Sequence, residues 1–285
     1  MFDLKDYLTK RRAEVEAALE DLLPAATIEP TILHEAMRYA VFTGGKRLRP
    51  ILSMAAAEAC GSEAEGGLLP GCAVEILHTY TLVHDDLPCM DDDDERRGKP
   101  TVHVSFGETN AVLAGDALQA LAFELVGRTP PTDLWNASDM VRELAVAAGS
   151  RGVVGGQVAD LGLSGRQPSE EEIAFIHEHK TADLFRASLR LGGMAANGSP
   201  AQVEALGRYA LNLGLAFQIT DDLLDAPETG ASPDEASVLS VVDPDAAHER
   251  ANALIDEAVM ALSACDASGS EALRAIASYV PGRTH

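Results

Sequence analysis

Two groups of aspartates in this 285-residue chain carry chemistry by type and spacing. The first runs from His84 to Arg97 and holds seven acids in the eleven positions Asp85 to Glu95. An isolated acid run is usually a solvated loop. Here the apolar stretch Val74 to Val83 leads straight into it, so Asp85 and Asp86 fall at a helix C-terminus, where the macrodipole disfavours anions. A bound cation removes that penalty. An EF-hand is excluded, because Arg96 stands where its loop, counted from Asp91, needs glycine, and no glutamate follows at the twelfth position. Six residues of straight helix turn by roughly 600°, so Asp85 and Asp91 do not share a face unless Pro88 bends the chain back.

The second group is Asp221-Asp222-Leu223-Leu224-Asp225, after the nearly all-apolar stretch Leu211 to Ile219. Asp221 and Asp225 lie four residues apart, on one helix face, and repel each other without a cation. Two such groups at the ends of apolar helices suggest two carboxylate walls facing one cavity. Arg96 and Arg97 follow the first at once. Hard carboxylates beside guanidinium forks suit a magnesium-diphosphate ligand: Mg²⁺ takes one or two carboxylates plus phosphate oxygens, and arginine grips the remaining oxygens in pairs.

Helices must position these groups. Arg12 to Leu23, Asp116 to Val126 and Pro200 to Asp225 carry apolar residues at three- and four-residue spacing, and no stretch alternates as a strand does. The sequence predicts an all-α chain of about ten or more helices in a single domain over 1–285. Breaks are expected at Gly44-Gly45, Gly66-Gly67, Pro130-Pro131, Gly192-Gly193 and Gly230. Ser169 to Glu172 reads as a capping box, and Thr132-Asp133 as the cap of a short helix at Leu134.

A net charge of −23 argues against nucleic acid or an anionic membrane surface as partner. The longest stretch without a charged residue, Leu191 to Val203, is short of the roughly 18 residues a spanning helix needs, so no stable membrane insertion is expected. The four cysteines lack CxxC spacing and the N-terminal residues show no export signal; a cytoplasmic location with free thiols is expected.

Further residues fall in an ordered set: Gly44-Gly45-Lys46-Arg47-Leu48-Arg49-Pro50, His78, Asp85-Asp86 to Asp91, Arg96-Arg97-Gly98-Lys99-Pro100-Thr101, Gly155-Gly156-Gln157, Lys180-Thr181, and Phe217-Gln218 with Asp221-Asp222 and Asp225. In this order the chain resembles the trans-isoprenyl diphosphate synthases, the family of farnesyl and geranylgeranyl diphosphate synthases. The resemblance implies an all-α helical bundle around a deep central cavity (the type I isoprenoid synthase fold) and a homodimer. It implies condensation of isopentenyl diphosphate with an allylic diphosphate, dependent on Mg²⁺, with three ions once diphosphate is bound.

By resemblance Lys46, Arg49, His78 and Arg97 hold isopentenyl diphosphate, and Arg96, Lys180 and Gln218 the allylic diphosphate. Asp85, Asp91 and Asp221 hold magnesium, with Asp86 and Asp225 in support. Thr181 and Gln218 face the nascent cation. His177, His179, Asp116 and Trp135 are read as structural. Thr81, one turn below Asp85, and its neighbour Tyr80 are the expected floor under the growing chain. That reading points to farnesyl diphosphate as product, ahead of geranylgeranyl diphosphate.

The sequence departs from the family in one place. Ala236-Ser237 stand where relatives carry a Gly-Lys pair, and no lysine follows Lys180. This motivates an alternative, a non-catalytic subunit that keeps the fold. A terpene cyclase is disfavoured by Lys46, Arg49, His78 and Arg97, since a cyclase has no isopentenyl diphosphate to hold.

Overall fold

Apolar residues at helical spacing form thirteen α-helices among the residues described by the structure, a computed structural model covering 2–163, 166–229 and 236–282. They are α1 (Leu4–Leu22), α2 (Thr31–Val41), α3 (Leu48–Ala59), α4 (Leu68–Asp85), α5 (Val102–Phe106), α6 (Glu108–Gly127) and α7 (Ala137–Ala148). Then come α8 (Val153–Leu161), α9 (Glu170–Ile176), α10 (Asp183–Ala195), α11 (Pro200–Thr229), α12 (Pro244–Ala261) and α13 (Glu271–Tyr279). The all-α expectation holds, with one small addition. β1 (Glu95–Arg96) and β2 (Lys99–Pro100) form a hairpin between α4 and α5. Its two-residue turn, Arg97-Gly98, has φ of 54° and 75°, the double positive pattern that tight hairpins require.

The central helix is α4, packed against α6, α3 and α10. Its near-continuous run of apolar residues follows from that position, because a helix buried on most sides has no polar face to present. The other long wall is α11, which packs on α12 and α10. Both acidic groups thus hang from helices that the core fixes in place.

Capping follows the sequence in one case and departs from it in another. Ser169 and Glu172 make the expected reciprocal box at α9. No helix forms at Leu134; Asn136 and Asp139 instead box the start of α7, because the Asn136 carboxamide reaches the amides of Ser138 and Asp139. The break expected at Gly192-Gly193 is also absent, since both lie inside α10. They are glycines because neighbours come too close for a side chain: a Cβ on Gly192 meets the Ser53 carbonyl oxygen of α3 at 2.1 Å, and one on Gly193 meets Leu206 at 2.7 Å. Gly192→Ala is therefore expected to force α3 and α10 apart and to cost about 3 kcal/mol or more, measured by urea unfolding. Gly230 lies outside the described residues.

Between α9 and α10 the helix changes pitch. His177–Ala182 form a π-helical turn, which carries Lys180 and Thr181. Such turns insert one residue and redirect side chains, and they recur at functional sites. Gly156 of α8 lies against this turn, where a Cβ would meet the Lys180 amide nitrogen at 2.4 Å.

Candidate active site

The first carboxylate wall forms at the exit of α4. The chain folds back after Pro88, and the Asp91 amide donates to the Asp85 carbonyl at 2.9 Å, the return expected from the spacing. Burial pushes the Asp85 carboxyl up to about 7, helped by Asp91 and Asp86 and opposed by Lys180 and Arg96. Burial likewise raises Asp91, opposed by Lys180 and reinforced by Asp160 and Asp93. Lys180 donates to the Asp160 carboxylate, so one ammonium faces three acids on two helices and a loop. Asp160 is a site residue that motif matching passed over. Its signal is a lone acid in the otherwise uncharged helix α8.

Asp86 plays a different part from its neighbour. It is buried, and its Oδ1 accepts from Arg96 Nε at 2.7 Å. Expected to support the metal, Asp86 instead seats Arg96, because a buried carboxylate beside a guanidinium is best satisfied by the charge-assisted pair. Arg96 also approaches Asp93 at 3.5 Å. Arg96 therefore belongs to the cleft below as much as to the Lys180 side, where it was expected.

The basic wall lies between α2, α4 and the hairpin, around a narrow cleft that His78, Asp86, Arg96 and Arg97 help to line. Arg47, at φ 51° before α3, is buried and spends its guanidinium on Glu75, Glu16 and the Val41 carbonyl. Arg49 lies 5.1 Å over the Phe185 ring, and its Nε has no protein partner. Burial, with Arg97 nearby, lowers its pKa to about 10 against the pull of Glu75. His78 is held well below its usual range by burial and by Arg49, Arg97, Arg96 and Arg47, so it stays neutral. Arg97 donates to the Gly44 carbonyl. Gly45 sits at φ 140°, and a Cβ there would come within 2.8 Å of the Arg97 guanidinium. The glycine pair thus lets the backbone close on an arginine. Lys46 is exposed at the edge.

The second wall is α11 facing the π-helical turn. The Thr181 hydroxyl donates to Gln218 Oε1 at 3.0 Å, which brings these two residues together. Gln218 Nε2 donates to Asp222 Oδ1 at 3.0 Å. Asp221 is half-buried and Asp225 exposed, one turn further along. Tyr80 is buried, edge-on to His84 at 5.6 Å, with its hydroxyl bonded to Gln119 of α6. The Thr81 hydroxyl donates to the His78 carbonyl at 2.8 Å. The residues read as structural behave so in part: Trp135 donates to the Gly198 carbonyl at 2.7 Å, and His179 pairs with Asp183 at 2.8 Å. His177, however, stands beside Asp222, within the site's supporting layer.

The donor set fits magnesium arriving with its substrate. Among the described residues no three carboxylate, imidazole or thiol groups converge on one ion position. Asp85 at the end of α4 and Asp91 in the loop after it are instead carboxyls raised chiefly by burial, a pair of oxygen donors that suits an ion completed by phosphate oxygens and water.

Residues 30–236 match the polyprenyl synthetase family profile. The chain belongs to that family, the trans-isoprenyl diphosphate synthases, and its class of chemistry is prenyl transfer. It is 42% identical to a chloroplastic geranylgeranyl pyrophosphate synthase of Capsicum annuum, over 99% of this chain and 79% of that protein. It is 47% identical to geranylgeranyl pyrophosphate synthase 11 of Arabidopsis thaliana, over 80% of this chain and 65% of the relative. Among solved structures, an FPP/GFPP synthase from Zymomonas mobilis superposes with a TM-score of 0.87 at 38% identity, covering 98% of each chain.

Proposed function

We propose that this protein condenses isopentenyl diphosphate with allylic diphosphates, ending at geranylgeranyl diphosphate. The observation that carries the reaction is the pairing of one arginine-lined cleft with a separate carboxylate-lysine wall, which suits two diphosphates handled differently. The C20 product is supported by the plant relatives, which carry that name.

Asp85, Asp91 and Asp221 would hold the magnesium ions, with Asp225 at the rim. When bound, magnesium supplies Lewis-acid neutralisation of the departing diphosphate. Lys180 adds fixed positive charge at the same place. Thr181 and Gln218 turn oxygen atoms toward the cation left on the allylic carbon. Arg49, Arg97, Lys46 and neutral His78 orient isopentenyl diphosphate, whose double bond attacks that carbon, and the released diphosphate takes the proton lost in closing the new alkene. The homodimer has support in the exposed Val104, Val112 and Leu113 of α5 and α6. A cytoplasmic location is part of the same reading.

The test is incubation of the purified chain with labelled isopentenyl diphosphate, each allylic starter and Mg²⁺. A C20 diphosphate is expected, and no elongated product from any starter would refute the reaction. Farnesyl diphosphate as end product is the second reading, favoured by the bulk of Tyr80 next to the face that carries Thr81 and Asp85. Tyr80→Ala is expected to lengthen the product by at least one five-carbon unit in either case; chromatography of dephosphorylated products checks it, and an unchanged distribution with activity retained moves the floor elsewhere.

A further inference from the structure

Asp222 is the middle acid of the second aspartate group, yet in the structure it is spent on the protein itself. Its side chain is only 7% exposed. Oδ1 accepts Gln218 Nε2 at 3.0 Å. Oδ2 accepts the Val238 amide at 2.6 Å and lies 3.5 Å from His177 Nε2. That same His177 nitrogen is 3.3 Å from the Ala236 carbonyl. One helical step, roughly 100°, separates Asp222 from Asp221 around α11, so the two acids address different neighbours.

We infer that Asp222 is a positioning residue: it sets the orientation of the Gln218 carboxamide and pins the backbone at 236–238 to α11. Both Asp222 oxygens are engaged as acceptors, Oδ2 by the Val238 amide and Oδ1 by the carboxamide, so the Gln218 NH₂ is the end turned toward Asp222. Oε1 is then left for the Thr181 hydroxyl, which donates to it at 3.0 Å. Thr181 therefore has its proton committed and its lone pairs free. A reversed carboxamide would aim N–H groups toward Thr181 and leave that hydroxyl without its acceptor. Asp222 acts through Gln218, and His177 braces it from the π-helical turn. The backbone half of the role works through the Val238 amide, with the Ser237 side chain also beside the carboxylate.

The inference rests on the proposed condensation, in which Thr181 and Gln218 face the cation. Its test uses the full chain with Asp222→Asn, Gln218→Glu and the double variant. Asp222→Asn is isosteric and lets the carboxamide of Gln218 reverse. It is expected to lower kcat roughly 10- to 100-fold, with the KM for isopentenyl diphosphate and the half-saturating Mg²⁺ both within about twofold of wild type. In the double variant the carboxamide introduced at position 222 donates to the carboxylate introduced at position 218 and still accepts from the Val238 amide. That carboxylate in turn accepts from Thr181, so the pattern of donors and acceptors is restored. The kcat of the double variant is expected to exceed the product of the two single effects by about tenfold or more. Without any substrate, Asp222→Ala should speed hydrogen exchange at the Val238 amide by about tenfold or more. Wild-type kcat in Asp222→Asn, additive single effects, or a higher Mg²⁺ requirement with full kcat at saturation would each overturn the role, the last marking Asp222 as a metal ligand. An inactive wild-type chain would sink the proposed reaction; the exchange measurement then decides the inference, and unchanged exchange in Asp222→Ala overturns it.

Discussion

Asp85→Asn is expected to lower turnover by about three orders of magnitude while making the ligand-free chain more stable at neutral pH. The two effects share one cause. Asp85 stands at the end of α4, half-buried, with Asp86 and Asp91 beside it, and its carboxyl is raised to about 7. In the proposed reaction that concentration of negative charge would draw the magnesium ions that neutralise the leaving group. Without them it is repulsion. An acid whose folded pKa lies above its unfolded value near 4 stabilises the folded state only while protonated. Its contribution is therefore lost as pH rises from about 4 to about 7. Asparagine removes the penalty, so the gain at pH 8 is up to about 4 kcal/mol and shrinks as the pH is lowered to 5. Thermal denaturation in chelator at the two pH values checks the sign. Near wild-type turnover at limiting Mg²⁺ would refute the catalytic half.

Lys180→Met is expected to cut turnover about 10²- to 10³-fold, through both kcat and the KM for the allylic substrate. The ammonium bonds Asp160 and offsets Asp91 and Asp85, so one side chain balances three acids. Removing it leaves those acids facing each other and takes away fixed positive charge where the proposed reaction would release diphosphate. Lys180→Arg should not restore the rate, because a planar fork does not reproduce a compact point charge at the end of the π-helical turn. Steady-state kinetics with saturating isopentenyl diphosphate measure this, and a rate within threefold of wild type would place the allylic diphosphate away from Lys180.

Much of this arrangement is legible in the chain because its determinants are local. Apolar spacing marks α4 and α11, and the six-residue separation of Asp85 and Asp91 around Pro88 predicts the fold-back that the Asp91 amide completes. What stays hidden depends on neighbours far away in sequence. Asp86 and Asp85 are adjacent letters; only the position of Arg96 on a six-residue hairpin separates their tasks. Gly192-Gly193 reads as a break until α3 is seen pressing on it. The π-helical turn has no compositional mark. Asp160 was visible as a lone acid in α8, but its meaning came from Lys180.

The contrast between the two walls has a consequence for how the protein responds to its surroundings. His78 is kept neutral by burial and by the arginines around it, and Arg49, though lowered to about 10, stays charged at neutral pH. The cleft that they form therefore presents a constant potential to an incoming anion from mildly acidic to alkaline conditions. The carboxylate wall does not, since its key acid takes up a proton near neutrality when no cation is present. Acidification would leave one substrate subsite loaded and the other unready. In the proposed reaction metal ions and protons would then compete for the same oxygens, so turnover is expected to need both a supply of metal and a pH that leaves that carboxyl free to bind it.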